Sequence, residues 1–301
     1  MQLPIHDVAV IGGGPAGLSA ALVFSRAGRQ VAVVDSGAPR NAASPGVHGF
    51  LSRDGTLPST LKEIAREQIA AYGTVTFVET VAESLQRKGP EGFELELRGA
   101  EPLRARSVLL ALGMVDVLPV IPGLVELWGR DVIHCAFCHG AEHRGRAWGL
   151  IAPTAASVET AHRLLHWTDD LIVFADPDLP IDESTSARLC QHGIRIVREP
   201  LEALTTNAAG RLTTVKLGDG SEIARDTLVY QPMQRQTRFV YETGVDLVGG
   251  RVWVTEGCET SVSGLFAAGD LTAGHQDVAS AVASGAMAAK RITQRLADQR
   301  C

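Results

Sequence analysis

Short apolar runs bounded by glycines and polar turns alternate along this chain with stretches of helical periodicity. Ile5 to Ile11 is such a run, as expected of a strand buried on both faces of a parallel sheet. Leu18 to Ala27 reads as a helix rich in Ala and Leu, and Gln30 to Val34 as a second strand closed by Asp35. Pro58 to Tyr72 has helical spacing through Leu61, Ile64 and Ile69, with Ser59 as its cap. Thr74 to Val81, Phe93 to Leu97 and Ser107 to Leu110 read as strands between polar turns. Ala111-Leu112-Gly113 ends a strand, and the Pro/Gly-rich stretch at Ile121-Pro122-Gly123 suits a domain crossover. Strand, helix and strand recur at Trp148 to Ile151, Ser157 to Leu165 and Leu171 to Phe174. Near the end, Gly264 to Asp270 is an apolar strand ending in Gly-Asp, and Ala279 to Leu296 a long helix of small apolar residues.

The first strand–helix–strand unit carries Gly12-Gly13-Gly14-Pro15-Ala16-Gly17 at its first turn. Gly12 permits a tight turn, Gly14 lets backbone approach a pyrophosphate, and Gly17 lets helix and strand pack closely. The helix start offers unpaired N–H groups to phosphate, and Asp35 can accept hydrogen bonds from an adenosine ribose. At the other end of the chain, Asp270 is placed to bind a ribityl hydroxyl, and the helix that follows can face the edge of a flavin that becomes negative on reduction. The two ends together point to FAD.

With 301 residues, the chain is long enough for two domains. Its 45% apolar and 21% charged composition indicates a globular protein, not a disordered one. A net charge of −6 gives no reason to expect nucleic acid or an anionic membrane as partner. No apolar run is long enough to span a bilayer. The residues from Met1 to Asp7 lead straight into a strand, so no signal peptide is expected and a cytoplasmic location is. Five cysteines, an odd number, argue for a redox or metal role over a secreted disulfide scaffold.

Cys135-Ala136-Phe137-Cys138-His139-Gly140 carries the chemistry. Two thiols two residues apart can close into a disulfide, and a flavin can take the two electrons released. Cys-x-x-Cys-His is also a haem-attachment signature, but that attachment requires export. Zinc held by Cys135, Cys138, His139 and His143 lacks the usual longer loop between ligand pairs and a second CxxC. A purely structural cysteine pair is the third alternative. His134 and His143 flank the motif as surface or packing residues, and Cys190, Cys258 and Cys301 read as free thiols.

The segments at Gly12–Gly17, Ala111–Gly113, Cys135–Cys138 and Gly264–Asp270 resemble, in order and over nearly the whole chain, the low-molecular-weight thioredoxin reductases. The resemblance implies an α/β protein of two Rossmann-like three-layer domains. The FAD domain is discontinuous, at residues 1–117 and 236–301, and a second nucleotide-type domain carrying the CxxC is inserted at 118–235. It also implies flavin contacts at Arg40, Asn41, Val81, Gly113, Gly269, Gln276 and Val278, beside Gly12, Gly14, Pro15, Ala16, Gly17, Asp35 and Asp270, and a homodimer. At Val278 only the backbone contact carries over, because Gln276-Asp277-Val278 stands where the family has Arg-Gln-Ala.

The chain departs from that family in two places. The inserted domain's turn reads Gly149-Leu150-Ile151-Ala152-Pro153-Thr154-Ala155-Ala156, without the glycines that admit a pyrophosphate, and Asp176 and Asp178 stand where a 2′-phosphate needs basic residues. His139 follows the second cysteine where the family usually has an acid. Cys-x-x-Cys-His-Gly, with the segment His48 to Gly55, is similar to the flavin-dependent dithiol oxidases that close disulfides of the gliotoxin, holomycin and romidepsin type. That likeness implies a small-molecule dithiol as substrate and O2 as acceptor, giving H2O2. Cys135 would be the outer sulfur, Cys138 the inner one and His139 the general base. The alternatives are a thioredoxin reductase-like disulfide reductase fed by NAD(P)H or another donor and a flavin-binding redox sensor.

Overall fold

The structure, a computed structural model, describes residues 4–89, 92–272 and 274–299; Cys301 lies outside them. Two compact units form. The first comprises the chain up to Ala42, Gly49–Asp116 and the chain from Gln234 onward; the second comprises Ala43–His48 and Val117–Met233. The expected division assigned residues 43–48 to the first unit. They belong to the second because Ala43 packs against Gly129 and Ser44 bonds His139.

In the first unit, β1 (Ile5–Ile11), β2 (Val31–Val34) and β3 (Val75–Val78) run parallel on one side. On the other side β1 pairs with β6 (Leu103–Leu110). The C-terminal half of β6 takes the parallel strand Leu265–Ala267, and its N-terminal half takes the antiparallel β5 (Phe93–Leu97) and, beyond it, β4 (Ala82–Arg87). β1 is apolar from Val8 to Ile11, where both its faces are buried. Val8 and Val10 enter one cluster with Leu18 and Phe24 of helix α1 (Pro15–Arg26) and Ile292 of the helix Val278–Asp298. Ala9 and Ile11 enter the other cluster with Leu95 and Phe239. α1 and Val278–Asp298 approach closely at Gly285, where a Cβ would stand 2.0 Å from the Ala16 carbonyl oxygen. Ser19 Oγ donates across that contact to the Val282 carbonyl at 2.7 Å.

The second unit has a parallel sheet in the order Arg195–Val197, Asp170–Ala175, Ala147–Ala152, Thr227–Tyr230 and Val132–Ile133. An antiparallel sheet of Leu201–Thr206, Leu212–Leu217 and Glu222–Ala224 accompanies it. Asp131, just before the edge strand Val132–Ile133, is fully buried. Its carboxylate accepts two hydrogen bonds from Arg211, at 2.5 and 2.9 Å, and one from Leu212 N–H at 2.9 Å. This clamp fixes the strand that leads into the cysteine motif.

Several expectations need correction. The helix after the second glycine-poor turn was expected as one element from Ser157 to Leu165. It is α-helical only over Ala155–Glu159 and becomes a 3-10 turn over Ala161–His166. Thr160 Oγ1 bonds the Ser157 carbonyl and the His162 ring bonds that of Glu159, side-chain bonds that compete with the helical ladder. Helix α2 (Pro58–Ala70) starts with Pro58 in its first turn after Leu57, with no side-chain cap, so Ser59 is not the cap. β4 was not foreseen, because Ala82–Arg87 is polar on its exposed face and half-buried on the other.

Candidate active site

The cysteine motif begins where Val132–Ile133 ends. Cys135 has extended backbone (φ −139°, ψ 118°) and caps the one-turn helix Ala136–His139. Its Sγ accepts the Cys138 N–H at 3.2 Å, a bond that favours negative charge on that sulfur. Both cysteines are half-buried, whereas Phe137 between them is 88% exposed and meets Trp167 edge-on with centroids 5.1 Å apart. Gly140 follows because Trp167 packs against its backbone. A Cβ at that position would stand 2.6 Å from the indole and 2.4 Å from the Ala136 carbonyl.

His139 Nε2 lies 2.8 Å from Ser44 Oγ, and Ser44 in turn donates to the Gly46 carbonyl at 2.7 Å. The His48 ring meets that of His139 edge-on at 5.9 Å, and His48 Nδ1 faces Glu142 Oε1 at 3.5 Å. Burial pushes the His139 imidazole below its ordinary pKa; the like charge of His48 adds to this, and Glu142 opposes it. His143 is a packing residue: it is buried, its Nδ1 lies 2.7 Å from Thr227 Oγ1, and burial lowers its pKa also. His134 meets Trp128 edge-on. Cys190 is exposed and Cys258 buried, both as free thiols. Ser44 and Glu142 were missed in the sequence. Neither belongs to a motif, and only folding brings Ser44 to His139 across 95 positions.

The glycine turn of the first unit has the shape of a phosphate cradle. Gly12 adopts φ +111°, and a Cβ there would stand 2.3 Å from the Ala111 carbonyl. At Gly17 it would stand 1.9 Å from the Gly12 carbonyl. Gly14 is different: nothing lies within 4 Å of a Cβ placed there. That open space adjoins a helix whose N-terminus has no side-chain cap and no acidic residue in its first turn. Pro15 opens that helix without an N–H of its own, so the N–H groups and positive potential left for an anion begin at Ala16. Asp35 lies beside Gly13, bound to Lys62 Nζ at 2.5 Å. Burial raises its pKa, but Lys62 and the N–H groups of Gly13 and Gly37 outweigh this, so the carboxylate stays ionised as an acceptor.

The flavin-side candidates also converge in this unit. Arg40 donates to Gln276 Oε1 at 2.7 Å and lies 3.4 Å from Asp270 and 3.5 Å from Asp116. Gln234 and Gln276 exchange amide hydrogen bonds, and Arg251 donates to the Asp270 carbonyl at 2.6 Å. Burial raises the pKa of Asp270, and Arg40 and Arg251 oppose it. Gly269 has φ +86° and donates its N–H to Ser284. Asp277 caps the final helix through Ser280 N–H at 2.7 Å, with Val278 as its first residue. Asn41 lies half-buried in the turn after Arg40, Gly113 has φ +67°, and the Val81 carbonyl is taken by Arg98 N–H at 2.9 Å. Asp116, Gln234 and Arg251 carried no sequence signal.

The equivalent turn of the second unit is closed. Thr154 caps the helix Ala155–Glu159 through the Ser157 N–H at 3.2 Å, and Ser157 Oγ returns to accept Thr154 N–H at 3.1 Å. The N–H groups of Thr154 and Ser157 are thus used internally. After the strand Asp170–Ala175, Asp176 turns back on Asp178 N–H, and Arg198 is committed to the carbonyls of Pro177 and Leu179.

An FAD cradle and a dithiol turn on a second nucleotide fold define a flavin-dependent disulfide oxidoreductase, and comparison with known proteins agrees. Residues 6–288 match the pyridine nucleotide-disulphide oxidoreductase family, and the chain belongs to it. Thioredoxin reductase tcpT of Claviceps purpurea (strain 20.1) is 32% identical over 98% of this chain and 95% of its own. Thioredoxin reductase sirT of Leptosphaeria maculans is 33% identical over 96% and 93%. Among solved structures, that of HlmI superposes with a TM-score of 0.92 at 33% identity, covering 99% of this chain and 96% of the other. The putative thioredoxin reductase TrxB of Bacillus anthracis gives 0.93 at 28% identity, covering 98% and 100%. The protein is an FAD-binding oxidoreductase of thioredoxin reductase-like fold. Among the described residues no helix is long and apolar enough to cross a membrane, and no cluster of three or more ligating side chains is arranged to hold a metal.

Proposed function

We propose that this chain is an FAD-dependent dithiol oxidase, closing an intramolecular disulfide in a small natural-product dithiol with O2 as final acceptor, as in antibiotic biosynthesis. The observation that carries this reading is the closed second turn. The Thr154–Ser157 capping box occupies the N–H groups of Thr154 and Ser157 at the turn where a nicotinamide dinucleotide would bind, and that turn lacks the glycines, whereas the start of α1 has no side-chain cap. Electrons would then enter from the dithiol side. A homodimer in the cytoplasm completes the proposal.

A substrate thiolate attacks Cys135 Sγ of the Cys135–Cys138 disulfide, the mixed disulfide forms, and Cys138 departs as a thiolate. The second substrate thiolate then attacks the sulfur of the first and expels Cys135. The substrate loses two electrons and leaves as a cyclic disulfide, and the pair is left as a dithiol. The hydrogen bond from Cys138 N–H supports the charge on Cys135 as it is expelled. His139, held neutral by its burial, takes the thiol protons. Bound FAD supplies the two-electron acceptor that reoxidises the pair and passes the electrons to O2 as H2O2. Phe137 and Trp167 offer an apolar ledge beside the reacting sulfurs, suited to a small organic substrate.

Anaerobic titration tests this reading. Dithiols should bleach the flavin, air should restore its colour with release of H2O2, and NADPH and NADH should leave it unchanged. Rapid bleaching by NADPH would make the chain a disulfide reductase, the activity in the names of its fungal relatives.

A further inference from the structure

His139 is bonded through one ring nitrogen only. Nε2 meets Ser44 Oγ at 2.8 Å, whereas Nδ1 is buried and has no hydrogen-bond partner among the described residues. A serine hydroxyl has one proton to give. Ser44 gives it to the Gly46 carbonyl at 2.7 Å, a group that can only accept. Toward His139, Ser44 Oγ is therefore left with lone pairs, and a second lone pair on Nε2 at 2.8 Å would repel it. Nε2 must carry hydrogen, and the free lone pair sits on Nδ1.

The segment holding Ser44 is pinned on both sides. Ala43 packs against Gly129, Val47 is buried, and His48 faces Glu142. The Ser44 bond also survives protonation, since Nε2–H donates in both the neutral and the cationic ring. Proton exchange is thereby confined to Nδ1, away from bulk water. A proton acceptor closed off from water takes its proton from a group brought to it instead of exchanging with solvent.

We infer that Ser44 is a positioning residue: it locks His139 as the Nε2–H tautomer, so that Nδ1 is the atom accepting protons from thiols at the Cys135–Cys138 turn. In that step the S–H bond breaks, the Nδ1–H bond forms, the sulfur keeps the electron pair, and no electron leaves the thiol. The inference rests on the oxidase reading for the identity of the thiol, but not for the tautomer. The titratable groups facing His139 are His48 and Glu142, with His143 further along the same segment, Cys138 immediately before it and Cys135 one turn back.

The test is 15N NMR of histidine-labelled holoprotein at neutral pH, with the His139 signals identified by their loss in His139→Gln. Wild type should show Nε2 protonated and Nδ1 bare. Ser44→Ala should shift the ring toward mixed tautomers, and Ser44→Thr should restore the wild-type pattern. In anaerobic mixing with dithiothreitol, Ser44→Ala should slow flavin bleaching about tenfold, the effect of losing one hydrogen bond to a reacting group, and Ser44→Thr should recover the rate. A bare Nε2 in wild type overturns the assignment, whatever the activity. An unchanged bleaching rate in Ser44→Ala, with an altered tautomer, overturns the positioning role. Wild-type protein inert to dithiothreitol overturns the oxidase reading and the catalytic use of Nδ1, while the spectrum still decides the tautomer.

Discussion

Replacing Gly14 by Ala separates the cost of a methyl group to the fold from its cost to the ligand. Gly14 has φ −80° and ψ −175°, backbone that alanine adopts without strain, and nothing lies within 4 Å of the added Cβ. In the free protein two small terms oppose each other. Alanine is a poorer N-cap than glycine by roughly 0.5–1 kcal/mol. It also restricts the unfolded chain, which stabilises by about 0.4–1 kcal/mol. The apo-protein should therefore unfold within about 0.5 kcal/mol of wild type, read by urea denaturation. The same methyl group fills the space through which a pyrophosphate must reach the uncapped start of α1. FAD affinity should fall at least tenfold, about 1.4 kcal/mol, measured by titrating deflavinated protein. The stabilisation conferred by a fixed excess of FAD should shrink by a like amount. Gly17→Ala is the contrasting control: its Cβ at 1.9 Å from the Gly12 carbonyl meets rigid backbone, so it should fail in the fold itself. Unchanged FAD affinity in Gly14→Ala would refute the cradle, and a large loss of apo-stability would refute the reading of that space as open.

Arg211→Ala leaves the buried Asp131 carboxylate with only the Leu212 N–H, and should cost about 2–3 kcal/mol in urea unfolding, below the usual range for a broken buried pair because the Arg211 side chain is 45% exposed. Cys138→Ser should abolish flavin bleaching by dithiols while flavin content stays at wild-type level; undiminished bleaching would make the cysteines bystanders. His139 and His143 are both held below their ordinary pKa by burial, so the unfolded chain binds protons that the folded chain refuses. Stability from these groups is complete above about pH 6.5 and is lost as pH falls below it. The decline in Tm between pH 7 and 5 should be shallower in His143→Gln, and an identical slope would refute the assignment.

The sequence by itself determined the nucleotide folds and the candidate cysteine pair. The β1–α1–β2 unit was legible because parallel strands must be apolar where both faces are buried, as at Val8–Ile11 and Val31–Val34, and because close approach of backbone to backbone at Gly12 and Gly17 leaves no other residue type possible. The Cys135–Cys138 spacing was equally legible, since the chemistry needs those atoms in those places. Tertiary structure alone decided the surroundings. Ser44 reaches His139 from a segment that carries no periodic or motif signal, the His48 segment showed a likeness but no role, and the loop 43–48 joins the second unit through contacts that exist only once the chain has folded. The Thr154–Ser157 box is a like case. The missing glycines were visible in the chain, but the reciprocal bonds between Thr154 and Ser157, and the end of the helix after Glu159, where local hydrogen bonding outweighs periodicity, were not. Short-range sterics are written in residue type; the partners of polar side chains are set by distances that only the fold creates.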